Sequence, residues 1–394
     1  MVGIQFIMSM ALSAMTPVYP LMLPGLGVAD PDMVKFLSGT LNSAGFLVAA
    51  IASPLWGQVA DRHGRKLMVL RSSAAICVFM ALMGLATTVW QLMALRGLMG
   101  AFSGFSASAI ALVASQVPEK RLGSSLGWLS TGQLTGSLIG PLIGGAMADL
   151  SGSYRLSFLL TSLLSGIAMT LAWSFVQENF TPSKASGKRS VFGNLRMLAG
   201  VPGVLPLMLV LLLAQFGVRT VQPVVTLFVQ ELAGPVPAIA TLAGLAFSVT
   251  GMADLLASPF LGKRSDTIGY RRVLLISLAG AALLTLPQSF AHSYWVFVAE
   301  RFGVGMFVGG LLPTANALIG RIVPSSARGL VYGMTASATF LGGFLGPFTG
   351  GSVAALFGIR TVFVVTATIL MMNWVWVLLV VPKTVSRPQE AAAD

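Results

Sequence analysis

Apolar runs of about 18 or more residues recur along the whole chain, and each is long enough at 1.5 Å per residue to cross a hydrocarbon core of roughly 30 Å. Twelve candidate spans follow, at approximately 3–25, 37–59, 67–88, 91–114, 124–148, 155–176, 204–229, 238–260, 272–290, 294–318, 329–353 and 360–381. With 55% hydrophobic residues, only 9% charged residues and a mean hydropathy of +0.85, the chain lacks the polar groups needed to cover a soluble globule. The expected fold class is an all-α integral membrane protein. The first span carries Pro17, Pro20 and Pro24 where a cleavage site would need small residues, and it lacks a basic start, so it does not read as a signal peptide.

The net charge of +12 is a topology signal rather than a nucleic-acid footprint. Eighteen of the 24 Lys and Arg fall in or beside the even-numbered connections and the C-terminal tail. The odd-numbered connections hold Lys35, Arg155 and Arg360, with Asp30, Asp32, Asp149 and Glu231 on the same side. The positive-inside rule then puts both termini in the cytoplasm. Cys77 is alone, and His63 and His292 are far apart in sequence, so neither a disulfide within the chain nor a metal site is expected. No sequence of the form G-x-x-x-x-G-K-S/T and no HExxH occurs, and no cofactor is called for.

The longest polar connection, residues 177–203, divides the chain into an N-terminal six-helix bundle (1–176) and a C-terminal one (204–382), with a cytoplasmic tail at 383–394. The halves repeat at an offset of about 205 residues. ASPLWGQVADRHG from Ala52 aligns with ASPFLGKRSDTIG from Ala257, and GSLIGPLIGG from Gly136 with GGFLGPFTGG from Gly342. Arg96 aligns with Arg301 and Arg155 with Arg360. An even number of spans per repeat makes the two copies parallel, an architecture of secondary transporters with a substrate site between the halves near the midplane.

Three groups of residues carry the mechanism in this reading. The first is a charged turn, GQVADRHGRKL, with Gly57, Asp61, Arg62, Gly64, Arg65 and Lys66, echoed by Gly262, Asp266 and Gly269. A carboxylate there can face a helix N-terminus or a basic side chain, a contact that biases one end state. Gly57 permits close helix approach and Gly64 a tight turn. The second group is Gly136, Gly140, Gly144 and Gly145, a stripe without side chains along one helix face, with Pro141 free to bend the helix. The third is the set of polar and ionisable residues within spans, each charge costing from about 2.5 kcal/mol upward at the centre. Gln215, Arg219 and Gln222 share one face of the seventh span, and Ser9, Ser13 and Thr16 stand in equivalent places in the first, facing either a cavity or neighbouring helices. Arg96, Arg301, Asp254 and Glu300 complete the set, with Asp254 and Glu300 as the two acids open to proton coupling.

GQVADRHGRKL resembles the loop signature of the major facilitator superfamily, and the stripe from Gly136 to Gly145 resembles the fifth-helix antiporter motif of its drug:proton exporters. LMALRGLMG from Leu92 is similar to their fourth-helix motif, with Met99 where Gln is usual, and PVYP from Pro17 to the first-helix motif of the twelve-helix branch. The resemblance covers essentially the whole chain. It implies the twelve-helix fold, proton-coupled efflux of drugs or small amphiphilic compounds by alternating access, a bacterial inner-membrane location, and no catalytic residues. It assigns the glycine stripe to sealing one side of the cavity. The expected partners are a small-molecule substrate, protons and membrane lipids, with no nucleic acid and nothing demanding more than a monomer. A metabolite exporter or importer is the alternative within the class, and a membrane enzyme or sensor the distant one.

Overall fold

The computed structural model describes residues 1–178, 204–322 and 328–381, so nearly all of the linker and all of the tail at 383–394 lie outside the described residues. Helices make up the regular structure of the described residues. They are α1 (Val2–Ala14), α2 (Val18–Met22), α3 (Pro31–His63), α4 (Arg65–Gly84), α5 (Val89–Ala101), α6 (Phe105–Gln116), α7 (Glu119–Ser151) and α8 (Tyr154–Phe175). After the linker come α9 (Val204–Thr220), α10 (Val225–Ala233), α11 (Ile239–Ile268), α12 (Tyr270–Thr285), α13 (Tyr294–Val308), α14 (Leu311–Ile322), α15 (Arg328–Phe357) and α16 (Ile359–Val380).

Among the described residues, 11 stretches are long and apolar enough to cross a membrane. The expected fifth span is the one not among them. Its helix, α7, has 33 residues and is ample in length, but Gly, Ser and Thr dilute its hydropathy. Gly123, Gly127, Gly132, Gly136, Gly140 and Gly144 are part of that dilution. What lowers its hydropathy is what lets it pack closely, as described below.

Four spans are broken near the middle, and the breaks come in repeat-related pairs. Between α1 and α2, Pro17 has no N–H to give the Ser13 carbonyl, which instead accepts from the amide of Thr16 at 3.1 Å. Between α9 and α10, Pro223 leaves the Arg219 carbonyl to the amide of Gln222, also at 3.1 Å. The fourth span breaks before Gly104, at φ +112°, and the tenth at Gly309 and Gly310. Non-helical backbone at membrane depth is tolerated only where protein or a polar cavity satisfies it, and the freed Ser13 and Arg219 carbonyls are satisfied by local amides.

The repeat extends to atomic detail in the short turns. Gly64 (φ 93°, ψ 159°) joins α3 to α4, and Gly269 (φ 95°, ψ 143°) joins α11 to α12 in the same conformation, one that a side chain would strain. Arg155 and Arg360 also act alike. Arg155 donates to the carbonyl of Ala86 at 3.4 Å, and Arg360 to those of Ser289 and Ala291 at 2.9 and 3.0 Å. Each guanidinium ties the end of one helix to the start of another.

By contacts, the described chain forms two compact units, one of residues 1–178 with 223–248, the other of 204–222 with 249–322 and 328–381. In the first unit α1 packs most extensively on α7, and α4 on α8. Its core holds Met8, Met15, Tyr19, Met80, Met83 and Phe158, with Tyr19 edge-on to Phe158 at 5.8 Å. In the second, α9 packs on α15 and α12 on α16. Leu207, Leu211, Leu274, Leu278, Leu318 and Leu370 form its core.

Candidate functional site

The glycine stripe of α7 is an interface with two partners. Gly132, Gly136, Gly140 and Gly144 lie in turn against Val2, Phe6, Met10 and Ala14 of α1, so closely that a methyl group at any of them would collide with α1 backbone. The last turns face α11. Gly145 abuts the Ala240 carbonyl, and Gly244 abuts that of Pro141. Ser248 Oγ donates to the Leu138 carbonyl at 2.5 Å. Asp149 closes the seam as a cap supplied by another helix, its carboxylate accepting from the Ala240 amide at 3.3 Å, the Thr241 amide at 2.7 Å and Thr241 Oγ1 at 2.5 Å.

The second unit repeats the first half of this design. Gly342 lies against Leu212 and Gln215 of α9, and Gly346 against Phe216 and Arg219. These are the equivalents of Phe6, Ser9, Met10 and Ser13, each 206 positions on. The paired polar stripes therefore stand over paired glycine stripes. In the first, Ser13 Oγ donates within its own helix to the Ser9 carbonyl at 2.8 Å and lies 3.4 Å from that of Gly136 on α7, while Gln5 donates across to Ser106 Oγ of α6 at 3.0 Å. Gln5 is fully buried, and its apolar neighbours on either side hid it from a periodicity reading. In the second, Arg219 donates to Gln215 Oε1 at 3.0 Å and to Gln222 Oε1 at 3.5 Å, a polar trio carried by one face of one span.

The charged turn is held by partners far from it in sequence. The Asp61 side chain lies outside the described residues. Gly64 makes the turn, but an added methyl at Gly57 or Gly262 would meet nothing within 4 Å, so close approach is not what those two glycines serve here. Arg62 is exposed, in the last turn of α3. Arg65 donates its guanidinium to the Ala111 carbonyl at 2.8 Å, and Lys66 its ammonium to the Trp173 carbonyl at 3.0 Å. Both backbone amides are capped by Glu178, each carboxylate oxygen accepting one at 2.8 Å. Glu178 was not singled out from the sequence, because a cap 113 residues away has no local signal. In the second copy Gly269 makes the turn and Tyr270 donates its hydroxyl to Asp266.

The embedded ionisable residues separate into distinct settings. Arg96 of α5 lies with its guanidinium carbon 5.2 Å from the Tyr19 ring, and its Nε is buried without an acceptor among the described residues. Arg301 Nε is likewise occluded without one. Asp254 of α11 accepts from Ser258 Oγ at 2.8 Å, and Ser258 also bonds the Gly309 carbonyl at 2.9 Å, so this carboxylate stands against the break in the tenth span. Asp254 forms no salt bridge with a described Lys, Arg or His. Glu300 is elsewhere, lining a cleft with Leu286, Phe290 and His292. Two acids that looked equivalent in sequence thus face different surroundings. Among the described residues no group of three or more His, Cys, Asp or Glu could hold a metal ion.

Comparison with known proteins agrees with this architecture. The family model described as Major Facilitator Superfamily matches residues 1–239 and 207–394. The multidrug resistance protein MdtG of Salmonella arizonae is 38% identical over 371 residues, 94% of this chain and 92% of the relative, and that of Salmonella typhimurium is similar to the same extent. Among solved structures, the nucleoside transporter NupG superposes with a TM-score of 0.77 at 14% identity, over 97% of this chain and 98% of its own. The human organic anion transporter MFSD10 superposes with a TM-score of 0.72 at 16% identity, over 95% and 97%.

Proposed function

Because the chain belongs to the Major Facilitator Superfamily, we propose that this membrane transporter exports drugs or other small amphiphilic compounds in exchange for protons. The multidrug resistance relatives support the substrate class. One observation supports the coupling: Asp254 lies within a span, against the break at Gly309, with a neutral Ser258 hydroxyl and no basic partner among the described residues. An acid without a fixed counter-charge changes protonation when its access to water changes, which is what coupling to a proton gradient demands.

The α7–α11 seam supports a reading of alternating access. Close backbone packing along Pro141, Gly145 and Gly244, finished by the Asp149 cap, is a contact that can be made or broken as a unit. We assign it to the closed gate on one side of the membrane. The charged turns around Asp61 and Asp266 control the opposite, cytoplasmic side. We read the protein as a monomer in the bacterial inner membrane, and the distribution of Lys and Arg supports placing both termini in the cytoplasm. The six-helix halves 1–176 and 204–382, joined by 177–203, are the bodies that move.

The test is transport in proteoliposomes with an imposed pH gradient and a panel of cationic and neutral drugs and metabolites. Wild type accumulates at least one compound against its gradient, with counter-movement of protons, and Asp254→Asn falls to the leak rate while still binding that compound. Gradient-driven transport by Asp254→Asn removes the acid from the mechanism. Movement of metabolites alone, without proton flux, overturns the exporter reading.

A further inference from the structure

The second unit carries a cleft of about 510 Å³ that the proposed transport cycle does not use, where the end of α12 and its following turn meet the start of α13. Leu286, Pro287, Phe290 and Val296 make its walls, and His292 stands among them. Glu300 also lines it, with Oε2 occluded from solvent and bonded to no donor among the described residues.

Depth makes this acid unusual. Tyr294 and Trp295 open α13 in edge-to-face contact at 5.1 Å, an aromatic pair of the kind that marks the membrane interface. Glu300 follows six residues after Tyr294, about 9 Å further along the helix, beyond the reach of a glutamate side chain to the headgroups. Arg301 projects about 100° away around the helix. Arg360, behind the turn, donates to the Ser289 and Ala291 carbonyls. The surroundings are apolar and outward-facing, with Phe290 at 72% and Val296 at 50% exposure. These are the surfaces a bilayer would cover.

A carboxylate lining an apolar cleft disfavours anions, and one carboxylate with one imidazole is too few ligands for a metal ion. What complements it is a cation joined to a hydrocarbon chain. We propose that this cleft binds the ammonium group of an amphiphilic amine entering from the lipid phase, with the ammonium on Glu300 and the chain along Phe290 and Val296. The amine is either the headgroup of an aminophospholipid or a freely dissolved cationic amphiphile. The proposal stands whether or not Asp254 carries the transported proton.

The probe is a diazirine-bearing dodecylamine, photo-crosslinked to the full chain in phosphatidylglycerol nanodiscs prepared with and without phosphatidylethanolamine, and mapped by peptide. Labelling concentrates in residues 286–300, competes with dodecylamine and does not compete with dodecanol. Glu300→Gln lowers it about tenfold, Glu300→Asp keeps most of it, and Val296→Trp, which fills the cleft and leaves the acid, lowers it as well. Suppression by phosphatidylethanolamine assigns the lipid headgroup as the occupant, and equal labelling in both nanodiscs assigns the free amphiphile. Undiminished labelling of Glu300→Gln, or equal competition by dodecanol, overturns the proposal and leaves only a lipid-facing groove. Monodisperse Glu300→Asp and Val296→Trp keep the comparison valid if Glu300→Gln fails to fold.

Discussion

Two adjacent glycines on α7 face different partners, and replacing each by alanine separates folding from gating. A Cβ on Gly145 would stand 2.5 Å from the Ala240 carbonyl carbon, and one on Gly144 2.6 Å from that of Ala14, where ordinary contact begins at 3.4 Å. The carbonyl oxygens stand closer still, so each seam must open by more than about 1 Å, and overpacking of that kind costs about 1–3 kcal/mol. If the seam is the gate proposed above, then at about 1.4 kcal/mol per factor of ten Gly145→Ala shifts it roughly 5- to 150-fold toward its open state, with α11 parting from α7 and losing the Asp149 cap. Gly144→Ala has no such exit, since α1 and α7 form the most extensive helix pair of the unit, and its cost appears as a melting temperature lower by roughly a few degrees. The assay is maleimide labelling of a cysteine replacing Leu138, whose carbonyl accepts from Ser248 across the seam, in a Cys77→Ser background. Gly145→Ala accelerates labelling, and Gly144→Ala does not. Unchanged labelling in folded Gly145→Ala protein refutes the seam as a gate, and equal losses of melting temperature refute the division between the two glycines.

Glu178→Gln replaces one acceptor at the start of α4 with an amide that repels the backbone N–H there, costing about 1 kcal/mol at this partly exposed cap. Hydrogen exchange at residues 65–68 accelerates, and unaltered exchange rejects the cap. Arg360→Met lowers the melting temperature more than Arg155→Met, because Arg360 serves two carbonyls near 3.0 Å and Arg155 one at 3.4 Å. Thermal scans of the two variants side by side decide it. Asp61→Asn leaves the protein in the membrane and slows turnover, and transport at the wild-type rate removes Asp61 from conformational control.

The repeat was legible because its marks are local. Gly64 and Gly269 take the same positive-φ turn, and Pro17 and Pro223 free equivalent carbonyls, since both effects follow from the residue itself. The family was legible in the charged turn and the glycine stripe for the same reason. The Gly57 reading failed because a glycine announces only that no side chain is present, and the space around it belongs to other helices. Asp149 was visible only as an acid near a span end. That it caps α11, 91 residues away from Ala240, depends on which helices pack together.

By itself, the sequence determined that this chain enters a membrane as helices and that it carries two copies of one design, and its basic loops set the orientation to be expected. Those outcomes depend on length, hydropathy and charge along the chain, which partition one segment at a time. The tertiary structure decided which face of each polar stripe meets a glycine groove, which carboxylate caps a distant helix, and which of two acids within spans lies at a helix break and which in an apolar cleft. Periodicity places a side chain around its own helix to within a fraction of a turn, and only packing determines what stands opposite it.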